Sequence, residues 1–139
     1  MCVSAPYPPH MLHHLTLWVP DLERAEESWA WLLGELGWSR DPQVPVVVLF
    51  RHPSGTALAL EQSVDMVPGT LHSRFRPGLN HLAFGIPPSA SLDALAEGAT
   101  HHGWRTLPSD PHPIAGAQRV AYLEDRDGFE VELVEPDGH

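Results

Sequence analysis

Two stretches of this chain are versions of one another. His14-Leu15-Thr16-Leu17-Trp18-Val19-Pro20 and His81-Leu82-Ala83-Phe84-Gly85-Ile86-Pro87 each set a histidine before an alternating run that ends in proline. A Gly-Trp pair follows each copy: Gly37 lies 23 positions after His14, and Gly103 lies 22 after His81. A period of about 65 residues held this closely means one supersecondary unit used twice. The chain must therefore fold as two related halves, each opening on a histidine.

Each half reads as β-α-β-β-β. In the first, a strand from His13 to Val19 leads through Pro20 to Asp21, a good helix N-cap. Leu22, Ala25, Trp29, Leu32, Leu33 and Leu36 follow at helical spacing and Gly37 closes the helix. Trp38–Asp41, Val44–Arg51 and Thr56–Gln62 are the expected strands, the last two joined by the turn Pro53-Ser54-Gly55. In the second half, Ser89 or Ser91 caps a helix bearing Leu92, Leu95, Ala96 and Ala99, weakened by Gly98 and ended by Gly103. Strands are expected over Trp104–Leu107, Arg119–Leu123 and Phe129–Val134, the last two forming a hairpin across Asp125-Arg126-Asp127-Gly128. The boundaries are an irregular arm over 1–12, a first module over 13–62, a connector over 63–79 and a second module over 80–136.

Side chains alternate across a strand, so each strand has two faces to compare. One set of faces carries His14/Thr16/Trp18, Ala57/Ala59/Glu61, His81/Ala83/Gly85 and Glu130/Glu132/Val134. The other carries Leu15/Leu17/Val19, Leu58/Leu60, Leu82/Phe84/Ile86 and Val131/Leu133. The second set is wholly apolar and has two amphipathic helices to cover it. If the first face is concave, it holds polar groups in a cavity with room for a ligand. A lone strand histidine usually faces water, but two at equivalent places in a repeat are less readily coincidental. Two imidazoles with two carboxylates make a mixed N/O set suited to one divalent cation such as Ni, Zn, Mn, Fe or Co.

Composition excludes several partners. A net charge of −10, with eight Arg and no Lys, argues against nucleic acid and anionic membranes, and the absence of Lys removes Schiff-base chemistry. The longest apolar run, Val44 to Phe50, is too short to span a bilayer, and residues 1–12 do not read as a signal peptide. A lone cysteine, Cys2, allows no internal disulfide and fits the cytoplasm. A chain of 139 residues is long enough to bury a real core.

Over roughly residues 12–136 the chain resembles the vicinal-oxygen-chelate superfamily, which includes glyoxalase I, fosfomycin-resistance transferases, extradiol dioxygenases and bleomycin-resistance proteins. The resemblance rests on His14 to Leu22 leading to Leu32-Leu33-Gly34, on Asn80 to Ile86, and on Leu123-Glu-Asp-Arg-Asp-Gly-Phe-Glu-Val-Glu-Leu133. It implies an α+β fold of two tandem βαβββ modules whose curved mixed sheets surround a metal-binding cavity, in a homodimer acting on a small-molecule substrate. Carried over by position, His14, His81 and Glu132 match metal ligands, and Glu61 resembles the fourth ligand of glyoxalase I. The halves slip here: Glu132 lies four residues after Gly128 but Glu61 six after Gly55, so Ala59 takes the place strict repetition gives to a ligand.

With Glu61 bound, the resemblance implies lyase or isomerase chemistry of the glyoxalase kind, with metal-stabilised carbonyl or enediolate oxygen and Glu61 or Glu132 as base. Without it, His14, His81 and Glu132 form a facial triad suited to Fe(II) and extradiol-type dioxygenation. A third expectation is non-catalytic binding of a small molecule. Thr16 and Tyr122 fall where fosfomycin-resistance enzymes have functional hydroxyls, although those enzymes also use a lysine. Trp18, Arg76 and Arg119 complete the expected substrate-binding group, with His72 and His112 as rim residues. His13, pointing opposite to His14, and His101-His102, at a helix end, are expected to be structural.

Overall fold

The computed structural model describes residues 12–108 and 118–136. Residues 1–11, 109–117 and 137–139, and with them Cys2, His10, His112, His139 and most of a proline- and glycine-bearing loop expected over Ser109 to Gln118, lie outside the described residues. Elements follow in the order β1 (His14–Trp18), α1 (Leu22–Glu35), β2 (Ser39–Asp41), β3 (Val48–Arg51), β4 (Ala57–Glu61), then β5 (Leu82–Gly85), α2 (Leu92–Ala99), β6 (Arg105–Leu107), β7 (Val120–Glu124) and β8 (Glu130–Val134). Each half is thus β-α-β-β-β, as the periodicity predicts. β3 starts at Val48 rather than Val44, since Pro42 and Pro45 cannot donate to a ladder.

Each half makes its own four-stranded mixed sheet, in the orders β1-β4-β3-β2 and β5-β8-β7-β6. β1 runs parallel to β4, and β5 parallel to β8; the other neighbours are antiparallel. The fold is α+β, built of tandem modules, and neither sheet closes on itself.

Local chemistry explains both helices. The Asp21 carboxylate accepts from the Arg24 amide at 3.0 Å to start α1, and the Ser91 hydroxyl accepts from the Ala94 amide at 3.1 Å to start α2. Gly37 and Gly103 follow the helices at φ +92° and +87°, where a side chain would be strained. The apolar strand faces then pack against the helices. Leu17, Val19, Leu58, Leu60, Val131 and Leu133 join Trp29, Leu32 and Leu33 of α1 and Leu92, Leu95 and Ala99 of α2 in one buried core.

Two tryptophans bind the halves together. Trp29 and Trp104 meet edge to face with centroids 5.1 Å apart. The Trp104 indole donates to the Ser28 carbonyl at 3.0 Å, and the Trp29 indole donates to Asp125 at 3.0 Å. The other Asp125 oxygen accepts the amides of Asp127 and Phe129, both at 2.9 Å, which shapes the β7–β8 turn. Arg24 of α1 ion-pairs with Asp127 in the same turn. Gly98, a weak point by propensity, has a packing reason: a Cβ there would lie 2.9 Å from the Trp31 ring, which also stacks on His102 at 4.4 Å.

Candidate functional site

The polar strand faces carry the site residues in two separate places. In the second module His81 lies one residue before β5, outside the strand. β8 carries Glu130 and Glu132, and β7 carries Glu124 and Tyr122. The register sets Tyr122 and Ala83 on either side of Glu132, and Glu124 opposite Glu130. His81 Nε2 stands 3.1 Å from Glu132 Oε1, and Glu132 is only 3% exposed. Arg74, from the connector, ion-pairs with Glu124 and approaches Glu130 at 3.8 Å.

The orientation of His81 is fixed from behind. Its Nδ1 lies 2.7 Å from Asn80 Oδ1, while the Asn80 amide nitrogen donates to the Arg74 carbonyl at 2.9 Å. Since the amide nitrogen is committed to a carbonyl, its oxygen must face the imidazole, and Nδ1 is therefore the protonated donor. Nε2 is then turned to Glu132. Two donors each about 2.1 Å from one divalent ion stand roughly 3 Å apart, so the spacing of His81 and Glu132 fits shared coordination.

In the first module His14, Thr16 and Trp18 are exposed along β1. His14 Nδ1 lies 2.9 Å from His13 Nδ1, and both rings line a cavity of about 330 Å³ with Thr16 and Glu61. His13 thus shares the cavity instead of pointing away. It precedes β1, so strand alternation does not govern it. The same position precedes the histidine in both copies, and its side chain meets Nδ1 both times; that repeat position is the sequence signal by which Asn80 could have been found.

The registers locate the slip between the halves. Ala83, two residues past His81, faces Glu132; Thr16, two residues past His14, faces Ala59. Glu61 faces Trp18 instead, four residues from His14 along β1, about 13 Å of strand at 3.3 Å per residue. Its carboxylate accepts the Trp18 indole N–H at 2.7 Å. Among the described residues, no three His, Cys, Asp or Glu side chains gather closely enough to hold a metal. The chain brings Glu132 to His81 and leaves His14 and Glu61 in the other half.

Of the expected substrate-binding residues, Thr16, Trp18 and Arg76 line a second cavity of about 410 Å³ together with His72. Thr16 lines both this cavity and the His14 cavity. Burial, and then the charge of Arg76, pushes the His72 imidazole below its ordinary value, so it is neutral at pH 7. Tyr122 is buried beside Glu132. Arg119 is drawn away from these cavities: it ion-pairs with Asp93 of α2 at 2.9 Å and with Glu135 at 3.4 Å.

Paired βαβββ modules with a histidine opening each and a buried glutamate on the last strand define a class of proteins by fold and site together. The family model described as the glyoxalase/bleomycin resistance protein/dioxygenase superfamily matches residues 13–122, and the chain belongs to that superfamily. It is 33% identical over 127 residues to the uncharacterised protein YqjT of Bacillus subtilis, covering 90% of this chain and 98% of YqjT. A candidate glyoxalase of Bacillus halodurans is similar in structure, with TM-score 0.76 and 34% identity over 91% of this chain and 96% of that one. A mutant of the fosfomycin resistance protein FosX of Listeria monocytogenes, complexed with Mn(II) and 1S,2S-dihydroxypropylphosphonic acid, shares the fold at TM-score 0.61 and 22% identity over 88% of this chain and 87% of that one. Among the described residues no helix is long and apolar enough to cross a membrane.

Proposed function

We propose that the chain is a divalent-metal enzyme of the glyoxalase type, a lyase or isomerase acting on a small oxygen-bearing substrate, and that two copies complete each site. The observation that carries this reading is the buried His81–Glu132 pair at 3.1 Å, with the ring oriented by Asn80. His14 of a second copy supplies the third ligand, because His14 is exposed and, among the described residues, joins no group of three potential ligands in its own chain. Isologous pairing makes two equivalent sites in this way. A divalent ion (Ni, Zn, Mn, Fe or Co) supplies Lewis-acid polarisation of a substrate oxygen.

The remaining work falls to side chains. Asn80 keeps the Nδ1 proton of His81 in place, so that Nε2 points at the shared position. Glu132 or Glu61, the latter half-buried and held by the Trp18 indole, would take the proton from the carbon beside the polarised group and return it. Glu132, being a ligand, would do so through its second oxygen. Thr16 and Arg76 bind the substrate beside Trp18.

One observation favours a second reading. The register removes Glu61 from the place equivalent to Glu132, and a set of two histidines and one carboxylate with open positions suits Fe(II) and extradiol-type oxygenation. Metal analysis of protein purified without added metal, with O₂ uptake measured alongside, separates the two. Ni, Zn, Mn or Co without O₂ uptake supports the lyase/isomerase reading; Fe with O₂ uptake replaces it by the oxygenase. Stoichiometric metal retained by His81→Ala contradicts the site, and a metal-free protein whose ligand affinity ignores His14→Ala is a simple binder.

A further inference from the structure

The cavity beneath the connector has an electrostatic asymmetry that the metal site does not explain. All eight basic side chains of this acidic protein are arginines, and all eight lie among the described residues. Seven of them ion-pair with a carboxylate. Arg76 is the exception among the described residues: the one hydrogen bond of its side chain is to the Leu71 carbonyl at 3.2 Å. With 18 acidic residues in the chain, an arginine without an acid partner is notable for its location, and this one lines the 410 Å³ cavity. Asp65, also on the lining, forms no ion pair with it.

The rest of the cavity is mostly apolar. Trp18, Val67 and Leu71 on its lining are 46%, 69% and 65% exposed, which places three of the chain's large exposed hydrophobic side chains around one cation. Thr16 and Thr70 add hydroxyls. His72, stacked on Phe129 at 4.3 Å, has its Nε2 buried with no hydrogen-bond partner among the described residues, so a polar atom is left unmet at the wall.

We propose that this cavity binds a small carboxylate with an apolar body, its anionic end on Arg76 and its body against Trp18. Arginine suits a carboxylate because its planar fork can donate two parallel hydrogen bonds, and an indole face accepts flat or branched hydrocarbon. The surrounding negative charge of the protein opposes anions in general, so only a ligand that reaches the guanidinium and buries an apolar part gains from both contacts. Thr16 also lines the His14 cavity. That such a carboxylate is the substrate rests on the proposed function; that it binds here does not.

The test is a titration of the protein with benzoate and with its neutral isostere benzamide, with and without a metal chelator, followed by calorimetry. Benzoate is expected to bind saturably in both conditions and to weaken as salt rises. Arg76→Gln is expected to weaken it about tenfold or more, Arg76→Lys less, and Arg119→Gln not at all. No saturable benzoate binding, equal affinity for benzamide, or an Arg76→Gln protein that binds benzoate like the wild type overturns the proposal. Metal content measured on the same samples keeps the two readings apart. A protein that holds metal but ignores benzoate defeats only the carboxylate site, and one that binds benzoate but no metal defeats only the metal site.

Discussion

The Trp18 indole donates to the Glu61 carboxylate at 2.7 Å, directly across the parallel β1–β4 ladder. This contact holds Glu61 against Trp18, whereas Glu132 stands beside His81 in the other sheet. Glu61→Gln keeps an acceptor for the indole, so its metal affinity should stay within about threefold of wild type. Glu132→Gln removes a charged ligand and should lose roughly 100-fold. Competition against a chelator measures both; equal losses would show that Glu61 is a ligand after all.

Asn80 acts through His81 and should be detectable without any substrate. Asn80→Ala frees the ring to change tautomer and rotate, and metal affinity should fall about 10- to 100-fold. Nitrogen NMR of the His81 ring is the sharper readout. The wild-type protein should show the Nδ1-protonated tautomer, and Asn80→Ala a mixture; an unchanged spectrum would reduce Asn80 to a surface contact.

How much of this was legible in the sequence depends on which physical rule governs each feature. The β-α-β-β-β order and the buried strand faces follow from local periodicity, and Asp21, Gly37 and Gly103 announced the ends of α1 and α2. Alternation placed Glu61 and Glu132 on the polar faces, and the different spacings after Gly55 and Gly128 already set Ala59, not Glu61, in the place equivalent to Glu132, as the ladder register shows. Nor does alternation say how two sheets sit in space, so the absence of a three-ligand cluster among the described residues had no local signature. The ion pairs of Arg119 with Asp93 and Glu135 were not legible either, because these partners are brought together only by tertiary packing.

Asp125 should dominate the stability of the inter-module seam. Its two oxygens accept three hydrogen bonds, one from Trp29 and two from turn amides. Asp125→Asn turns an N–H toward the Trp29 donor and should cost about 1–3 kcal/mol. Burial, ahead of all other causes, pushes the Asp125 carboxyl up, so the folded state holds this proton more tightly than the unfolded one. Its contribution is then full below the ordinary carboxyl value near 4 and declines as pH rises toward the raised folded value. Denaturation midpoints at several pH values should show the advantage of wild type over Asp125→Asn shrinking through that window; a growing advantage would reverse the assignment.

Gly103 is more than a helix stop. At φ +87° a Cβ would also lie 2.3 Å from the buried Ser28 hydroxyl. Gly103→Ala should therefore cost about 2 kcal/mol or more, adding the clash to the left-handed strain of roughly 1–2 kcal/mol. Denaturant unfolding of the variant checks this, and a loss below about 0.5 kcal/mol would mean the turn relaxes freely.

The central claim, a metal site shared between two copies of the chain, is tested most directly by complementation. His14→Ala and His81→Ala proteins are each expected to bind no metal tightly. Unfolded and refolded together in equal amounts, they should form mixed dimers in which one site has both its histidines, restoring tight binding to about one quarter of the sites. If each site lies within a single chain, no combination of these two variants regains it. Restoration near one quarter is the result predicted here; no restoration from a mixture shown to contain mixed dimers would contradict it.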